Sequence, residues 1–365
     1  MRGTTPLSAR LVVFALASIV AGGCGGASSA PPASSIGSQL PTPDTSTPAV
    51  SSSPAATAAR APLEAGVAWI AYQNRTPERS GAHAVHLIRP DGTGDFFALD
   101  AVPGGQQKHP DWSPDGTQLL VDVSDATETS DIWVASVIDW SARKIVDCAS
   151  PCLWVEEPAW SHDGTRVAYQ RHTTTAAGEI SALEILDLAS GSTSVAYETR
   201  TDKGVYAPRW SPDDTSLVFE QTASDGDTFL GVSLEVLDLA TPGVTRTIVP
   251  VERMANNADW SPDGKLIAFS APIAGGEPGG PLSDIWVVNR DGTQPRRVTD
   301  VAAAAGTALQ PTFTPDGTSI IFKLTDARLG AFDAIALVAV AGGVPQPATG
   351  SQYLYGWHSR MRPTR

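Results

Sequence analysis

A short segment that recurs five times at a near-constant spacing constrains the fold of this chain more than any other feature. Each copy has an aromatic residue, a Ser-Pro-Asp-Gly turn or a close variant, and an apolar run, as in HPDWSPDGTQLLVDV and NADWSPDGKLIAFSA. The aromatic anchors lie 48, 50, 50 and 53 residues apart, and they are Trp112, Trp160, Trp210, Trp260 and Phe313. A period of about 50 residues indicates a repeat protein, in which each copy is one supersecondary unit.

The turn in each copy predicts a β-hairpin. Proline presets the second position of a type I turn, aspartate suits the third, and glycine accepts the left-handed conformation that closes it. We therefore expect a structural role for the turn aspartates, which are Asp115, Asp163, Asp213, Asp263 and Asp316. Calcium binding by these loops is the alternative, but the chain has no Asp-x-Asp-x-Asp-Gly loop of the kind that binds calcium.

Each copy continues into two further strands. A β-rich run follows the apolar strand, as at Ser130–Val134 and Ser283–Val287, and a second turn then leads to a fourth strand. Four-stranded antiparallel units repeated around a ring form a β-propeller. The sequence therefore predicts an all-β fold, a six-bladed β-propeller.

The sixth blade is predicted to contain both ends of the repeat region. Residues 70–99 supply three strands with no anchor before them, whereas residues 355–359 place an aromatic residue, Trp357, 44 residues after the fifth anchor. We expect this C-terminal strand to pair with the strand at Ile70 and Trp357 to be the sixth anchor. Pairing of this kind closes the ring and leaves no open strand edge.

The Pro-x-Trp-Ser-Pro-Asp-Gly repeat resembles that of the TolB family, whose propellers are WD-repeat-like, over about residues 63–360. The resemblance implies the fold and little about a ligand, because the motif residues form turns and pack between blades. TolB proteins carry an α/β domain ahead of the propeller, and a polar spacer takes that place here. The resemblance therefore does not imply membership of a Tol complex.

Residues 1–24 have the pattern of an export signal. Arg2 and Arg10 accompany an apolar run, Leu11–Ala21, that is too short to span a bilayer. The run ends in Ala-Gly-Gly-Cys, which resembles the bacterial lipobox, in which the cysteine, here Cys24, is lipidated. A plain secretory signal in which Cys24 is incidental is the alternative. Lipidation predicts anchoring to the cell membrane or the outer membrane, with the propeller on the periplasmic or extracellular side.

Residues 25–62 are predicted to be a disordered tether, and residues 63–365 the propeller. Ser, Thr, Ala and Pro fill 27 of the 36 positions from 25 to 60. Such a segment buries too little apolar surface to offset its ordering entropy. A flexible chain of this length spans roughly 30–36 Å, enough to hold a domain away from a membrane surface.

The net charge argues against a nucleic-acid partner. The chain has 25 Lys and Arg against 39 Asp and Glu, a net charge of −14. Binding to phosphates needs the opposite sign. We expect a monomer whose partner is a basic or neutral protein or peptide.

No motif for catalysis, a metal or a cofactor is present. The chain lacks His-Glu-x-x-His, paired Cys-x-x-Cys and Gly-x-Ser-x-Gly. Cys148 and Cys152 lie in one loop between blades, and outside the cytoplasm we expect them to form a local disulfide.

Positions three residues before the anchors vary while the turns do not. Such variation on a fixed scaffold is expected of ligand-facing residues at the channel mouth, here His109, Glu157, Ala207, Asn257 and Gln310. The preferred function is a non-catalytic protein-binding module of the cell envelope. The alternative is a propeller that binds or cleaves an envelope polysaccharide as a hydrolase or lyase through funnel residues such as His109 and Glu157.

Replacing the lipobox cysteine (Cys24→Ser) should move most of the protein out of the membrane fraction, because the lipid is attached to the cysteine sulfur. Fractionation of cells that produce the full-length chain measures this. An unchanged membrane fraction would show that the lipobox interpretation is wrong.

Overall fold

The computed structural model describes residues 60–75, 82–102, 104–200, 203–226, 228–241, 243–273, 282–326, 332–349 and 356–364. The predicted export signal with Cys24 and the predicted tether up to residue 59 lie outside these residues. Within the described ranges, no helix has the length and apolar character that crossing a membrane requires.

The described strands form six four-stranded antiparallel sheets, which confirms the six-bladed β-propeller. In chain order they are β1 (Ile70–Arg75), β2 (His83–Ile88), β3 (Phe96–Phe97), β4 (Gln106–Trp112), β5 (Gln118–Ser124), β6 (Ser130–Ser136), β7 (Ala142–Val146), β8 (Cys152–Trp160), β9 (Arg166–Thr175), β10 (Gly178–Asp187), β11 (Thr193–Arg200), β12 (Val205–Trp210), β13 (Ser216–Asp225), β14 (Thr228–Asp238), β15 (Thr245–Val249), β16 (Asn256–Trp260), β17 (Leu266–Pro272), β18 (Ser283–Asn289), β19 (Arg296–Arg297), β20 (Thr307–Phe313), β21 (Ser319–Asp326), β22 (Phe332–Ala339), β23 (Gln346–Pro347) and β24 (Trp357–Met361). The described part of the chain also has two short 3-10 helices, Val251–Arg253 and Ala302–Ala304.

Blade 1 consists of β24, β1, β2 and β3, and blades 2 to 6 take the following strands in groups of four. The first strands of neighbouring blades contact one another around the central channel. Because paired strands are antiparallel, connections alternate between two faces. We call the face with the first-to-second and third-to-fourth connections the turn face. The hairpin face carries the second-to-third hairpins and the connections between blades.

Strand β24 pairs with β1 in antiparallel register and closes the ring as predicted. The sixth anchor position, however, is occupied by Met361 and not by Trp357. Met361 lies opposite Ile70, just as the anchor Trp112 lies opposite Leu119 in blade 2. The prediction was wrong because it looked for an aromatic ring, whereas backbone pairing sets the register. Met361 follows the fifth anchor by 48 residues, within the range of the other spacings; the side chain of Trp357 lies outside what the structure describes.

Arg362 and Pro363 consequently take the place of Ser-Pro in a sixth turn. The buried Arg362 guanidinium donates from Nε to the Gly116 carbonyl oxygen at 2.7 Å and from Nη1 to the Glu64 carbonyl oxygen at 2.7 Å. Its Cζ lies 5.6 Å from the Trp112 ring centroid. One arginine therefore joins β24 to the segment before β1 and to the first turn of blade 2.

The propeller begins three residues earlier than predicted. The compact unit starts at Arg60, whose guanidinium lies 4.6 Å from the Phe96 ring centroid and 4.8 Å from that of Trp140. The Trp140 indole N–H also donates to the Ala61 carbonyl oxygen at 2.9 Å. The composition around Arg60 resembles that of the tether, but a cation between two aromatic rings is a favourable contact.

Anchors pack between neighbouring blades, where they are buried. The indole N–H groups of Trp112 and Trp210 donate to the carbonyl oxygens of Arg360 and Ala159 in the preceding blade, both at 3.1 Å. An aromatic side chain of this kind removes roughly 150–250 Å² from water. Trp112 and Trp210 thus couple burial of the ring to a bond across the blade interface, whereas the indole N–H groups of Trp160 and Trp260 have no hydrogen-bond partner.

The turn aspartates are occupied by their own turns. Asp115 accepts hydrogen bonds from the Ser113 hydroxyl at 2.6 Å and from the Thr117 backbone N–H at 3.0 Å. The Ser161 hydroxyl and neighbouring donors lower the pKa of Asp163 to about 2. Equivalent bonds recur in the other turns, at Asp163, Asp213, Asp263 and Asp316.

Turns of neighbouring blades also pack against one another, proline on glycine. A Cβ added at Gly264 would lie 3.7 Å from Pro212, and one at Gly317 would lie 3.4 Å from Pro262. Between blades 3 and 4 both residues of this pair are replaced, by His162 and Asp214. The two replacements compensate each other, because the Asp214 carboxylate accepts the backbone N–H of His162 at 2.7 Å, which a proline could not donate.

Deleting residues 356–365 should abolish the cooperative unfolding transition of the domain, since it removes the first strand of blade 1 and exposes the edge of β1. Thermal unfolding followed by circular dichroism measures this. A variant that starts at Arg60 is the control for a truncation outside the ring. An unchanged melting curve after the C-terminal deletion would contradict the role of β24 in closure.

Candidate functional site

One residue in the first strand of every blade has a left-handed backbone. The φ values lie between 50° and 58°, and the residues are His109, Glu157, Ala207, Asn257, Gln310 and His358. Left-handed geometry costs a non-glycine residue about 1–2 kcal/mol, so a sixfold recurrence needs compensation. Each of these residues creates a bulge that interrupts pairing with the second strand. The structure thus brings the five residues selected from the sequence together around the channel and adds His358.

The compensation comes from polar side chains of neighbouring blades. The backbone N–H of Glu157 donates to Asp122 Oδ1 at 3.3 Å, and that of Asn257 donates to Glu220 Oε1 at 2.6 Å. Both acceptors lie on the second strand of the preceding blade. Gln73 and Gln170 have the same position and bond to His109 and Ala207 in the same way. A bulge in one blade is therefore capped by the preceding blade.

His109 is the most strongly connected residue of this ring. Its Nδ1 lies 2.6 Å from Asp122 Oδ1 and its Nε2 lies 3.9 Å from Glu157 Oε1. Burial lowers the pKa of His109, but the Asp122 charge and hydrogen bond outweigh burial and raise it overall. The imidazolium form thus has carboxylates at both nitrogens.

His358 is the neutral partner of this pair. Its ring centroid lies 4.3 Å from that of His109. Burial and the His109 charge hold the pKa of His358 well below its usual value. The Gln310 amide, with Nε2 2.9 Å from His358 Nε2, donates to the unprotonated ring nitrogen.

Two residues further along the first strands, a second ring of charged side chains lies in the channel. Asp111 Oδ1 lies 3.5 Å from Arg360 Nε, and Asp259 Oδ2 accepts the Phe313 backbone N–H at 2.8 Å. Burial and the nearby Arg209 charge lower the pKa of Arg360 to about 10. These charges are paired or hydrogen-bonded, as buried charges must be.

Carboxylates accumulate on the side of the channel formed by blades 2 to 4. Burial and the Glu157 charge raise the pKa of Glu220 to about 8. Burial and Asp122 raise the pKa of Glu156, although the Lys108 ammonium lies 3.2 Å from its Oε1. This side of the channel therefore carries negative charge that its cations do not balance.

A small cavity lies in the channel. It has a volume of about 10 Å³, and its lining includes Glu157, Arg209, Asn257, Gln310, His358 and Arg360. That volume is about the minimum for one water molecule. Among the described residues, no group of three or more His, Cys, Asp or Glu side chains could hold a metal ion. The ring can hold and exchange protons, and a ligand larger than water would have to displace side chains.

Cys148 and Cys152 form a disulfide in the connection between blades 2 and 3, on the hairpin face. The backbone N–H of Cys148 donates to Asp131 Oδ1 at 2.9 Å. The bridge closes a short loop directly before β8, the strand that carries Trp154 and Glu157. It therefore limits the conformations available to the entrance of this strand.

Sequence reasoning missed an aromatic stack beside the channel. Trp154 lies opposite His172 in the β8–β9 ladder, and their ring centroids are 4.4 Å apart. Tyr206 continues the stack at 5.4 Å from His172. Gly204 lies beneath the Tyr206 ring, where an added Cβ would overlap the ring atoms. No pattern in the sequence marks this stack, because it depends on strand register and on contact between two blades.

Neutralising the buried carboxyl group (Glu220→Gln) should flatten the pH dependence of stability. Because the pKa of Glu220 is raised from 4.5 to about 8 on folding, its contribution is complete below the unfolded value and is lost as pH rises through the folded value. The variant should match the parent near pH 4.5 and exceed its free energy of unfolding by at least about 1 kcal/mol near pH 9.

Urea unfolding of both proteins across this pH range measures the difference. Glu198→Gln, at an exposed position of β11, is the matched control and should leave the pH profile unchanged. Parallel profiles for Glu220→Gln and the parent would contradict the assigned protonation of Glu220.

No family model matches the chain, and no curated protein matches it. Its fold is similar to that of TolB from Acinetobacter baumannii, at 16% identity and a TM-score of 0.59 over 80% of this chain and 66% of that chain, just under two thirds. A putative TolB from Agrobacterium tumefaciens is 22% identical, with a TM-score of 0.53 over 80% of this chain and 90% of that chain.

An enzyme shares the fold as well. A puromycin hydrolase mutant in complex with PGG is 15% identical, with a TM-score of 0.54 over 80% of this chain and 53% of that chain. At these identities the likenesses show the fold alone. The chain is thus a TolB-like six-bladed propeller.

Proposed function

We propose that this chain is an exported, lipid-anchored propeller that binds a protein partner through its hairpin face. Exposed apolar side chains on blades 4 and 5 carry the proposal. Phe229 and Leu230, at the tip of the β13–β14 hairpin, are 44% and 47% exposed. Ile273 and Leu282, at the hairpin-face ends of β17 and β18, are 37% and 40% exposed. Exposed apolar side chains also occur on the turn face, but Ile138, Val244 and Val344 each belong to a different, non-adjacent blade. The four on the hairpin face belong to two neighbouring blades, and such a group favours association with another protein.

The small size of this channel cavity supports binding on a face over binding in the interior. The ring from His109 to His358 is held by hydrogen bonds between blades, and opening it would expose buried charges. A rigid scaffold with long connections on one face suits recognition by those connections. The export signal and the tether predicted from residues 1–62 would place this face outside the cytoplasm, at an envelope membrane.

A second candidate function is cleavage or binding of an envelope polysaccharide. The close pair formed by His109 and Asp122, with Glu157 on the other side of the imidazole, favours it because such a histidine can exchange protons. Access opposes it, since a saccharide does not fit the cavity of about 10 Å³ beside Glu157. We therefore prefer protein binding.

Photo-crosslinking in cells tests the preferred function. A crosslinking amino acid at Phe229 should capture one protein at high yield. The same amino acid at Val244, which is 60% exposed on the turn face of the same blade, is the matched control and should capture none. Equal capture at both positions, or none at Phe229 together with stabilisation of the domain by saccharides in a thermal-shift screen, would refute the proposal.

A further inference from the structure

We infer that the partner presents a lysine or arginine side chain, which binds between the Trp154–Tyr206 stack and the carboxylates of blades 2 to 4. This inference rests on the proposed function and adds the chemistry of the segment that binds. Four features of the hairpin face carry it: an aromatic surface, an acidic surround, an unsatisfied carboxylate oxygen and a wall of tall hairpins.

The aromatic surface is built by two blades. Trp154, His172 and Tyr206 form one continuous stack, in which the outer two rings are half-buried and His172 is buried. Burial lowers the pKa of His172 to about 4, so the middle ring carries no charge near neutral pH. A neutral stack of this kind offers ring faces to a cation without repelling it.

Four glutamates lie close enough to Tyr206 to act on its hydroxyl group. The pKa of Tyr206 is raised to about 12, first by burial and then by the charges of Glu157, Glu220, Glu156 and Glu179. They come from three strands, β8, β10 and β13. Because three strands converge there, the negative charge surrounds the stack and does not form a simple run along one strand.

Asp122 adds an unsatisfied acceptor beside Glu156 and Glu157. It is fully buried, pairs in register with Lys108, and uses Oδ1 for His109 and for the Glu157 backbone N–H. Its second oxygen, Oδ2, has no hydrogen-bond partner. The Asp122 charge, after burial, also raises the pKa of Glu156. A buried carboxylate left incomplete in this way favours an additional cation nearby.

The cations already present do not neutralise the group. The side chains that face it are Lys108, which pairs with Glu156, His109, which pairs with Asp122, and Arg209, which lies near Glu220. Arg360 also acts on Glu157, but it is shared with Asp111 and Asp259. Because the pKa of Glu220 is about 8, four carboxylates face these three cations near neutral pH, and a fifth forms when Glu220 ionises. An anionic segment would be repelled, and a neutral one would leave the excess charge unchanged. Charge complementarity therefore selects a cationic side chain.

Next to these carboxylates, the β9–β10 and β13–β14 hairpins extend further than the hairpins of blades 2 and 5. Strands β9, β10 and β13 have 10 residues and β14 has 11, whereas β5, β6, β17 and β18 have 7. Three extra residues extend a strand by about 10 Å. Glu179 lies next to the tip of one tall hairpin, and Phe229 and Leu230 next to the tip of the other. A bound segment can therefore contact the acidic group and the apolar tip together.

Calorimetry with a defined probe tests the inference. The probe is a short peptide of lysines spaced by glycines, and the control is the same peptide with acetylated lysines. Only the charged peptide should bind the full-length protein, and its affinity should fall as salt is added. Trp154→Leu should weaken binding about tenfold through the lost cation–π contact, and Glu179→Gln should also weaken it. Glu198→Gln, the same change on β11, should bind as the parent does.

The pH dependence provides an independent readout. A cation next to Glu220 favours its ionised form, so binding near pH 7 should release protons and affinity should rise towards about pH 9. Glu220→Gln should abolish the proton release. Thermal unfolding of each variant separates loss of binding from loss of fold. If Trp154→Leu and Glu179→Gln fold and still bind the charged peptide as the parent does, the inference is overturned.

The two proposals fail in different ways. If Phe229 captures a partner but the charged peptide binds no better than the acetylated one, the cationic recognition is wrong and protein binding stands. If the charged peptide binds as described but no protein crosslinks at Phe229, the cation site stands and the assigned docking face is wrong. If neither occurs, both proposals are overturned.

Discussion

Each inner strand of the propeller contains one residue with a left-handed backbone, and the polar interior of the channel follows from that constraint. The bulge turns extra side chains towards the axis and frees a backbone N–H, which needs an acceptor when water is excluded. Second-strand side chains such as Asp122 and Glu220 supply the acceptor across the blade interface. The channel is therefore lined with polar groups that hold the blades together. Its charged side chains thus contribute to the stability of the ring, whatever else they do.

On the turn face, neighbouring blades are joined by contacts that repeat from blade to blade. Proline of one turn packs on glycine of the next, and the anchors fill the space between blades. Where the repeat changes, the neighbour changes with it, as His162 and Asp214 demonstrate by bonding to each other. At the closure, Arg362 replaces the turn serine and bonds to the next blade. Regular packing is thus a property of the turn face, whereas the hairpin face carries connections that differ in length from blade to blade.

Electrostatics differ around the ring although the backbone repeats. Blades 2 to 4 contribute most of the channel carboxylates, whereas Arg360 and the neutral His358 come from blade 1. Burial of like charges raises the pKa of Glu220, so part of the excess is held as protonated acid. The long hairpins lie on blades 3 and 4, next to the same carboxylates. Negative charge and long hairpins therefore occur on the same side of the molecule, and this side suits a basic partner.

The sequence by itself determined the repeat, the strand count of each blade, the closure of the ring and the positions of the channel residues, because turn chemistry and period are local properties. Only the tertiary structure decided the register of β24, and hence that Met361 is the anchor and that His358 joins His109 in the channel. It also decided that Trp154, His172 and Tyr206 stack, since those contacts cross strands and blades. Local patterns encode where strands begin and turn, whereas pairing between distant strands sets which side chains meet.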